Sequence, residues 1–129
     1  MPPFVRYWLP LIAACGLIFI QSHYPATMEF PNLQHQDKLK HFAAYAVLGI
    51  LFYRAYASLK HRPKTYALLA ASMLSASLYG LSDDIHQYFV PFRNAEFLDF
   101  IADTLGSICG VLLYHYRVRR TERFNRNIV

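Results

Sequence analysis

Four long apolar runs, each bounded by charged residues or proline, constrain this chain more than any other feature. They cover roughly residues 7–21, 38–59, 65–85 and 97–116, and a basic tail, 117–129, follows them. Hydrophobic residues make up 55% of the chain and charged residues only 16%, against about 25% charged residues in soluble domains. Leu, Phe and Tyr fall on all faces of these runs, which a soluble helical bundle does not need. We therefore predict one all-α domain, residues 1–129, folded as a four-transmembrane-helix bundle.

The first run also has some features of a secretory signal peptide, because Arg6 precedes a short apolar core. Apolar residues continue beyond Cys15, however, and Pro10 interrupts the core. We therefore interpret this run as a helix that the protein retains, which makes the expected topology multi-pass.

The basic residues predict the orientation of the bundle. Ten of the thirteen Lys and Arg residues lie before the first run, at the end of the second run and in the turn after it, and in the tail. Because cytoplasmic loops are enriched in Lys and Arg, both termini are expected to be cytoplasmic. Seven of the eight acidic residues then fall on the outer side. This segregation also argues against nucleic acid as a partner, since the cations lie where membrane topology places them.

Polar residues at helical spacing mark the outer ends of the last three runs, and we take them as a candidate site. Asp37, His41 and Tyr45 recur every four residues on the second run, and Asp99 and Asp103 do so on the fourth. The third run ends in further polar residues, and one arginine follows in the next loop. The complete set of candidate binding residues is Asp37, His41, Tyr45, Asp83, Asp84, His86, Gln87, Arg93, Asp99 and Asp103.

Three interpretations of this set remain open. The polar groups could form only a packing network between helices. They could recognise an anionic head group, with Arg93 and His41 contacting the anion. They could also catalyse a reaction, because carboxylates beside a histidine act as acid and base or hold a divalent cation. The first candidates for ligands or proton carriers are Asp83, His86 and Asp103, and Asp99 is a further catalytic candidate. No recognised catalytic motif is present, so no enzyme class is predicted.

Three blocks of the sequence resemble the VanZ family of small integral membrane proteins. The first block runs from Asp37-Lys38 through His41 and Tyr45 to Gly49, and the second from Tyr79-Gly80 through Asp83-Asp84 and His86-Gln87 to Arg93. The third block contains Asp99, Asp103, Gly106 and Gly110. The family pattern usually has Glu at position 84 and Asn at position 103, so this chain departs from it at two places. An Asn at position 103 weakens a scheme that needs a charge there, and no metal or cofactor is expected.

The resemblance implies a protein of the bacterial inner membrane. One member of the family is associated with low-level resistance to the glycopeptide teicoplanin. That association fits an outward-facing site close to envelope precursors. The expected partners are therefore the lipid bilayer and an anionic lipid or lipid-linked envelope precursor, and an effect on glycopeptide susceptibility is an expectation of the same kind.

Overall fold

A computed structural model of the chain describes residues 1–23, 34–90 and 96–128, and the described part has an all-α fold, as predicted. A π-helical turn, Phe4–Trp8, leads into α1. The α-helices are α1, Leu9–His23; α2, Gln34–Ala57; α3, Thr65–Tyr88; and α4, Phe97–Ile128. Each helix corresponds to one of the four apolar runs of the sequence.

The helices extend beyond the apolar runs. α1 continues to His23, α2 begins at Gln34, and α3 ends at Tyr88. The largest difference is in α4, which continues through the basic tail to Ile128 rather than ending near residue 116. The reason is that hydropathy detects the first charged residue, whereas a helix continues until a breaker stops it. No Gly or Pro follows Gly110, and Arg is a good helix former.

α2 and α4 run parallel and approach each other closely because glycines form the contact. Gly106 lies against the backbone of Phe42, and Gly110 lies against the backbone of Ala46. On α2, a Cβ added to Gly49 would lie 3.0 Å from the carbonyl oxygen of Ser107. Such close approach of two backbones is what small residues four apart permit.

The surface of the bundle is apolar, while much of its interior is polar. Large hydrophobic side chains point outward from all four helices, among them Leu17, Val47, Leu74 and Leu113. Helices with large hydrophobic side chains on their outer faces are typical of proteins whose helices contact lipid. Two of the described helices, Phe4–His23 and Phe97–Ile128, are long and apolar enough to cross a membrane.

Candidate functional site

Polar side chains from all four helices meet at one end of the bundle, where α1 and α3 end and α2 and α4 begin. This polar cluster comprises Ser22, Lys38, His41, Tyr45, Asp83, Asp84, Gln87, Glu96, Asp99 and Asp103. Three of its carboxylates, Asp83, Asp99 and Asp103, are 6%, 3% and 0% exposed. Burying an ionised carboxylate costs several kcal/mol unless partners compensate it, so the partners of each one decide what it can do.

Asp83 is held by hydrogen bonds from three helices. The hydroxyl of Ser22 on α1 donates to its Oδ1, and the hydroxyl of Tyr45 on α2 donates to its Oδ2 over 3.3 Å. Gln87, one turn further along α3, donates to the same Oδ2 over 3.2 Å and to the Ser22 hydroxyl over 3.3 Å. Asp83 is therefore a fixed acceptor that orients its three donors.

His41 and Asp103 form a second connection, between α2 and α4. The Nδ1 of His41 lies 2.9 Å from Oδ1 of Asp103. Asp103 fits because α3 has a glycine opposite it: a Cβ at Gly80 would lie 3.0 Å from Asp103 Oδ2 and 3.1 Å from the ring of Tyr45. A carboxylate bound to one imidazole nitrogen fixes the tautomer and the orientation of the ring.

Lys38 neutralises Asp99, the carboxylate in the first turn of α4. Its Nζ donates to Asp99 Oδ1 over 2.5 Å and to Glu96 Oε2 over 2.7 Å. Asp99 is buried, whereas the side chain of Glu96 is about half exposed. The ion pair with Asp99 therefore has the lower local dielectric and the larger energetic effect.

Asp84 differs from its neighbours because neither of its carboxylate oxygens has a hydrogen-bond partner within the described residues. Asp103 Oδ2 also lacks a partner there. Among the described side chains, five carboxylates thus share this end of the bundle, and the residues that pair with them are Lys38 and His41. Unpaired buried polar groups are costly, and they concentrate at binding and catalytic sites.

A cleft between α1, α2 and α3 gives access to part of the polar cluster. Its unoccupied space, including the open mouth, is about 390 Å³. Polar and apolar side chains both line it: Ile18, Gln21, Ser22, Lys40, His41, Ala44, Tyr45, Asp83 and Gln87. We call it the polar cleft. Lys40 brings a cation, the hydroxyls and amides bring neutral hydrogen-bonding groups, and Ile18 with Ala44 brings an apolar wall.

The structure places seven of the ten candidate residues in two groups, one that lines the polar cleft and one buried outside it. His41, Tyr45, Asp83 and Gln87 line the polar cleft. Asp84, Asp99 and Asp103 are buried within the polar cluster but do not line the cleft. His86 faces α1, where its ring stacks on Phe19 at 4.8 Å and on His23 at 5.8 Å between ring centroids. Arg93 and the side chain of Asp37 lie outside the described residues.

Three polar residues that line the polar cleft were not among the sequence candidates: Gln21, Ser22 and Lys40. Gln21 and Ser22 are the first polar pair after an uncharged apolar run, a signal that could have marked them as facing other helices. Lys40 precedes His41 directly. In the described part of the chain, no three His, Cys, Asp or Glu residues are grouped closely enough to hold a metal ion.

Asp83 and Asp84 are adjacent but differ in their hydrogen-bond partners, which allows a matched stability test. Asp83→Asn replaces one of the two acceptor oxygens by an NH2 group, so at least one of the three donors loses its acceptor, and we expect the free energy of unfolding to fall by about 1–3 kcal/mol. Asp84→Asn removes a buried charge without hydrogen-bond partners in the described chain, so we expect an increase of about 1 kcal/mol. Thermal unfolding of the purified variants, followed by circular dichroism, measures both. Equal destabilisation by the two substitutions would contradict this assignment of partners.

Comparison with known proteins gives one family. The family model described as VanZ/LLP1 matches residues 7–119, which include every residue of the polar cluster. No curated protein and no solved structure matches the chain.

Proposed function

Because the chain belongs to the VanZ/LLP1 family, we propose that it is a multi-pass protein of the bacterial inner membrane in which all four helices cross the bilayer. α2 and α3 have 24 residues each, so each is about 36 Å long, enough for a hydrocarbon core of about 30 Å. The apolar outer surface of all four helices supports this arrangement. Charged residues of α2 lie toward its two ends, where their side chains can extend to the interface.

The proposed orientation has both termini in the cytoplasm and the polar cluster at the outer surface. Arg54, the turn with Lys60, Arg62 and Lys64, and the end of α4 lie at the opposite end of the helices from the polar cluster. The positive-inside rule assigns that basic end to the cytoplasm.

We propose that the polar cleft binds the head group of a cell-envelope lipid or lipid-linked precursor. The observation that supports this proposal best is the composition of the cleft wall, in which fixed hydrogen-bonding groups adjoin apolar residues. Lys40 and His41 contact the anionic part of the head group, while Ser22, Gln87 and Asp83 bond its hydroxyl or amide groups. Ile18 and Ala44 contact the start of the apolar chain. Binding of such a precursor in the polar cleft would alter the susceptibility of the cell to glycopeptides such as teicoplanin.

The buried carboxylates have a supporting role in this proposal. Asp103 fixes the ring of His41, and Asp99 holds Lys38 at the edge of the polar cluster. Preorganised side chains lose less conformational freedom when the head group binds, which raises affinity. Arg93, outside the described residues, remains an additional anion-binding residue in the proposal.

A second candidate function is acid–base catalysis by His41 on the same lipid. The contact of 2.9 Å between its Nδ1 and Asp103 favours it, because this arrangement prepares the imidazole to take a proton from a water or a hydroxyl group. His41 would then replace the candidate catalytic residue His86, which lies against α1 rather than in the polar cleft.

Titration of the purified chain with lipid-linked envelope precursor, followed by native mass spectrometry, tests the proposal. We expect Lys40→Gln combined with His41→Gln to weaken binding by about tenfold or more, since each substitution removes a charge-assisted contact. His61→Gln combined with Lys60→Gln is the matched control, because it removes the same residue types from the basic turn. Equal binding by the cleft variant and the wild type would contradict the proposal.

The same titration separates binding from catalysis. If His41 is a catalytic base, the wild-type chain converts the precursor to a species of new mass, and His41→Gln alone prevents that conversion. If the polar cleft only binds, the precursor keeps its mass in the wild type, and the substitution changes affinity alone.

A further inference from the structure

A second cleft lies at the basic end of the bundle, and nothing in the proposed function uses it. Along α2, Arg54 in this cleft is thirteen residues from His41 in the polar cleft, a separation of about 20 Å. Its unoccupied space, including the open mouth, is about 470 Å³. The residues that line it are Tyr7, Tyr53, Arg54, Ala57, Ser58, Arg62, Tyr114 and Val118. We call it the basic cleft.

The charge of the basic cleft is opposite to that of the polar cluster. Two guanidinium groups, Arg54 and Arg62, line it, and its lining residues include no carboxylate. Three tyrosines add hydroxyl groups that can donate hydrogen bonds. Guanidinium groups bind phosphate in a bidentate manner, so two of them in one concave site select a phosphate-bearing ligand.

Two lining side chains are already held in place by the rest of the fold. The guanidinium of Arg54 lies 5.6 Å from the ring centroid of Tyr7, which places the cation beside an aromatic face. Tyr53 is 2% exposed, and its hydroxyl oxygen lies 2.8 Å from Nδ1 of His115 on α4. Arg62, in the turn after α2, is exposed and lies beside Tyr53. The cleft therefore combines a fixed inner wall with an exposed outer cation.

We propose that the basic cleft binds the phosphate group of an anionic ligand at the membrane surface opposite the polar cleft. An anionic phospholipid and free inorganic phosphate are two sources of this chemistry. Basic pockets between membrane helices bind lipid head groups in this way. The site is separate from the polar cleft, so this proposal does not depend on what the polar cleft binds.

The chain contains a natural reporter for this site. Trp8 is its single tryptophan, follows Tyr7 directly, and packs on Tyr56 with ring centroids 6.1 Å apart. Lipids with brominated acyl chains quench tryptophan fluorescence only when they lie next to it. The full-length chain would be reconstituted in vesicles with brominated phosphatidylglycerol or, separately, with brominated phosphatidylcholine. A second arm would titrate inorganic phosphate into phosphatidylcholine vesicles while Trp8 fluorescence is recorded.

We expect the anionic lipid to be preferred near Trp8 by about tenfold, a preference that two interfacial arginines can supply. Arg54→Gln combined with Arg62→Gln should remove the preference, and Arg62→Gln alone, in an exposed turn, should reduce it without affecting the fold. Arg123→Gln combined with Arg126→Gln removes two charges from the exposed end of α4 and should leave the preference unchanged.

The two arms identify the source of the phosphate. A response to inorganic phosphate that disappears in the cleft variant assigns a soluble anion, whereas lipid preference without that response assigns a phospholipid. Both results support the basic cleft as a phosphate site. The proposal is overturned if neither lipid preference nor a phosphate response is found, or if the variant at the end of α4 loses as much as the cleft variant.

Discussion

Gly110→Ala is expected to destabilise this protein strongly, although alanine is the better helix former. A Cβ at position 110 would overlap backbone atoms of Ala46, so α2 and α4 would have to separate. Neither helix can relieve this contact by turning a side chain, because the atoms that collide belong to the backbone. Overpacking of this kind costs about 1–3 kcal/mol, and we place this substitution at or above the upper end of that range.

Gly16→Ala is the matched control for this substitution. Both glycines lie inside helices, but a Cβ at Gly16 meets nothing within 4 Å. We therefore expect Gly16→Ala to raise the free energy of unfolding by about 0.5–1 kcal/mol through helix propensity alone. Thermal unfolding of the two variants in the same detergent gives the comparison. If Gly110→Ala were as stable as Gly16→Ala, the close packing of α2 on α4 would be wrong.

The second large effect is expected at Asp103, which connects the packing of α4 to the polar cleft. Asp103→Ala leaves His41 without its carboxylate and opens a void beside Gly80. Breaking a buried pair in this way costs about 3–5 kcal/mol when the pair is charged. Asp103→Asn keeps the volume and one oxygen acceptor for His41 Nδ1, so we expect it to cost less than about 1.5 kcal/mol.

The two substitutions at Asp103 also distinguish the roles considered for His41. If His41 only binds the head group, Asp103→Asn retains most of the affinity because the ring orientation persists. If His41 acts as a base, Asp103→Asn lowers turnover while affinity remains, since the amide does not stabilise an imidazolium. A double-mutant cycle with His41→Gln measures the coupling between the two residues. A coupling energy near zero would show that the contact contributes nothing to stability.

The helices and their order could be predicted because apolar runs and their polar boundaries are local features of the sequence. The pairing of helices is less local. The glycine contacts set the register of α2 on α4, and that register brings His41 to Asp103. Before this register is known, the polar residues spaced four apart on α2 and those on α4 can be aligned in several ways. The spacing of Gly106 and Gly110 is typical of a close contact between helices, but it does not identify α2 as the partner helix.

The position of α1 in the bundle is the main feature of the site that the sequence does not predict. It carries no charged residue between Leu9 and Gln21, so no pattern indicated which face it presents to the bundle. Its position decides that Ser22 meets Asp83 and that His86 stacks on Phe19 instead of entering the polar cleft. By helical spacing, Asp83, His86 and Gln87 should share one side of α3. The position of α1 nevertheless keeps His86 out of the polar cleft that Asp83 and Gln87 line.

Most of the proposed function depends on the polar cleft opening at the outer surface of the membrane. Labelling of single cysteines with a membrane-impermeant maleimide in intact cells tests it most directly. In a background with Cys15→Ala and Cys109→Ala, Lys40→Cys reports on the polar cleft and Lys60→Cys on the basic turn. We expect the cysteine at position 40 to react from outside and the one at position 60 to react only after permeabilisation. Labelling of position 60 but not position 40 in intact cells would contradict it.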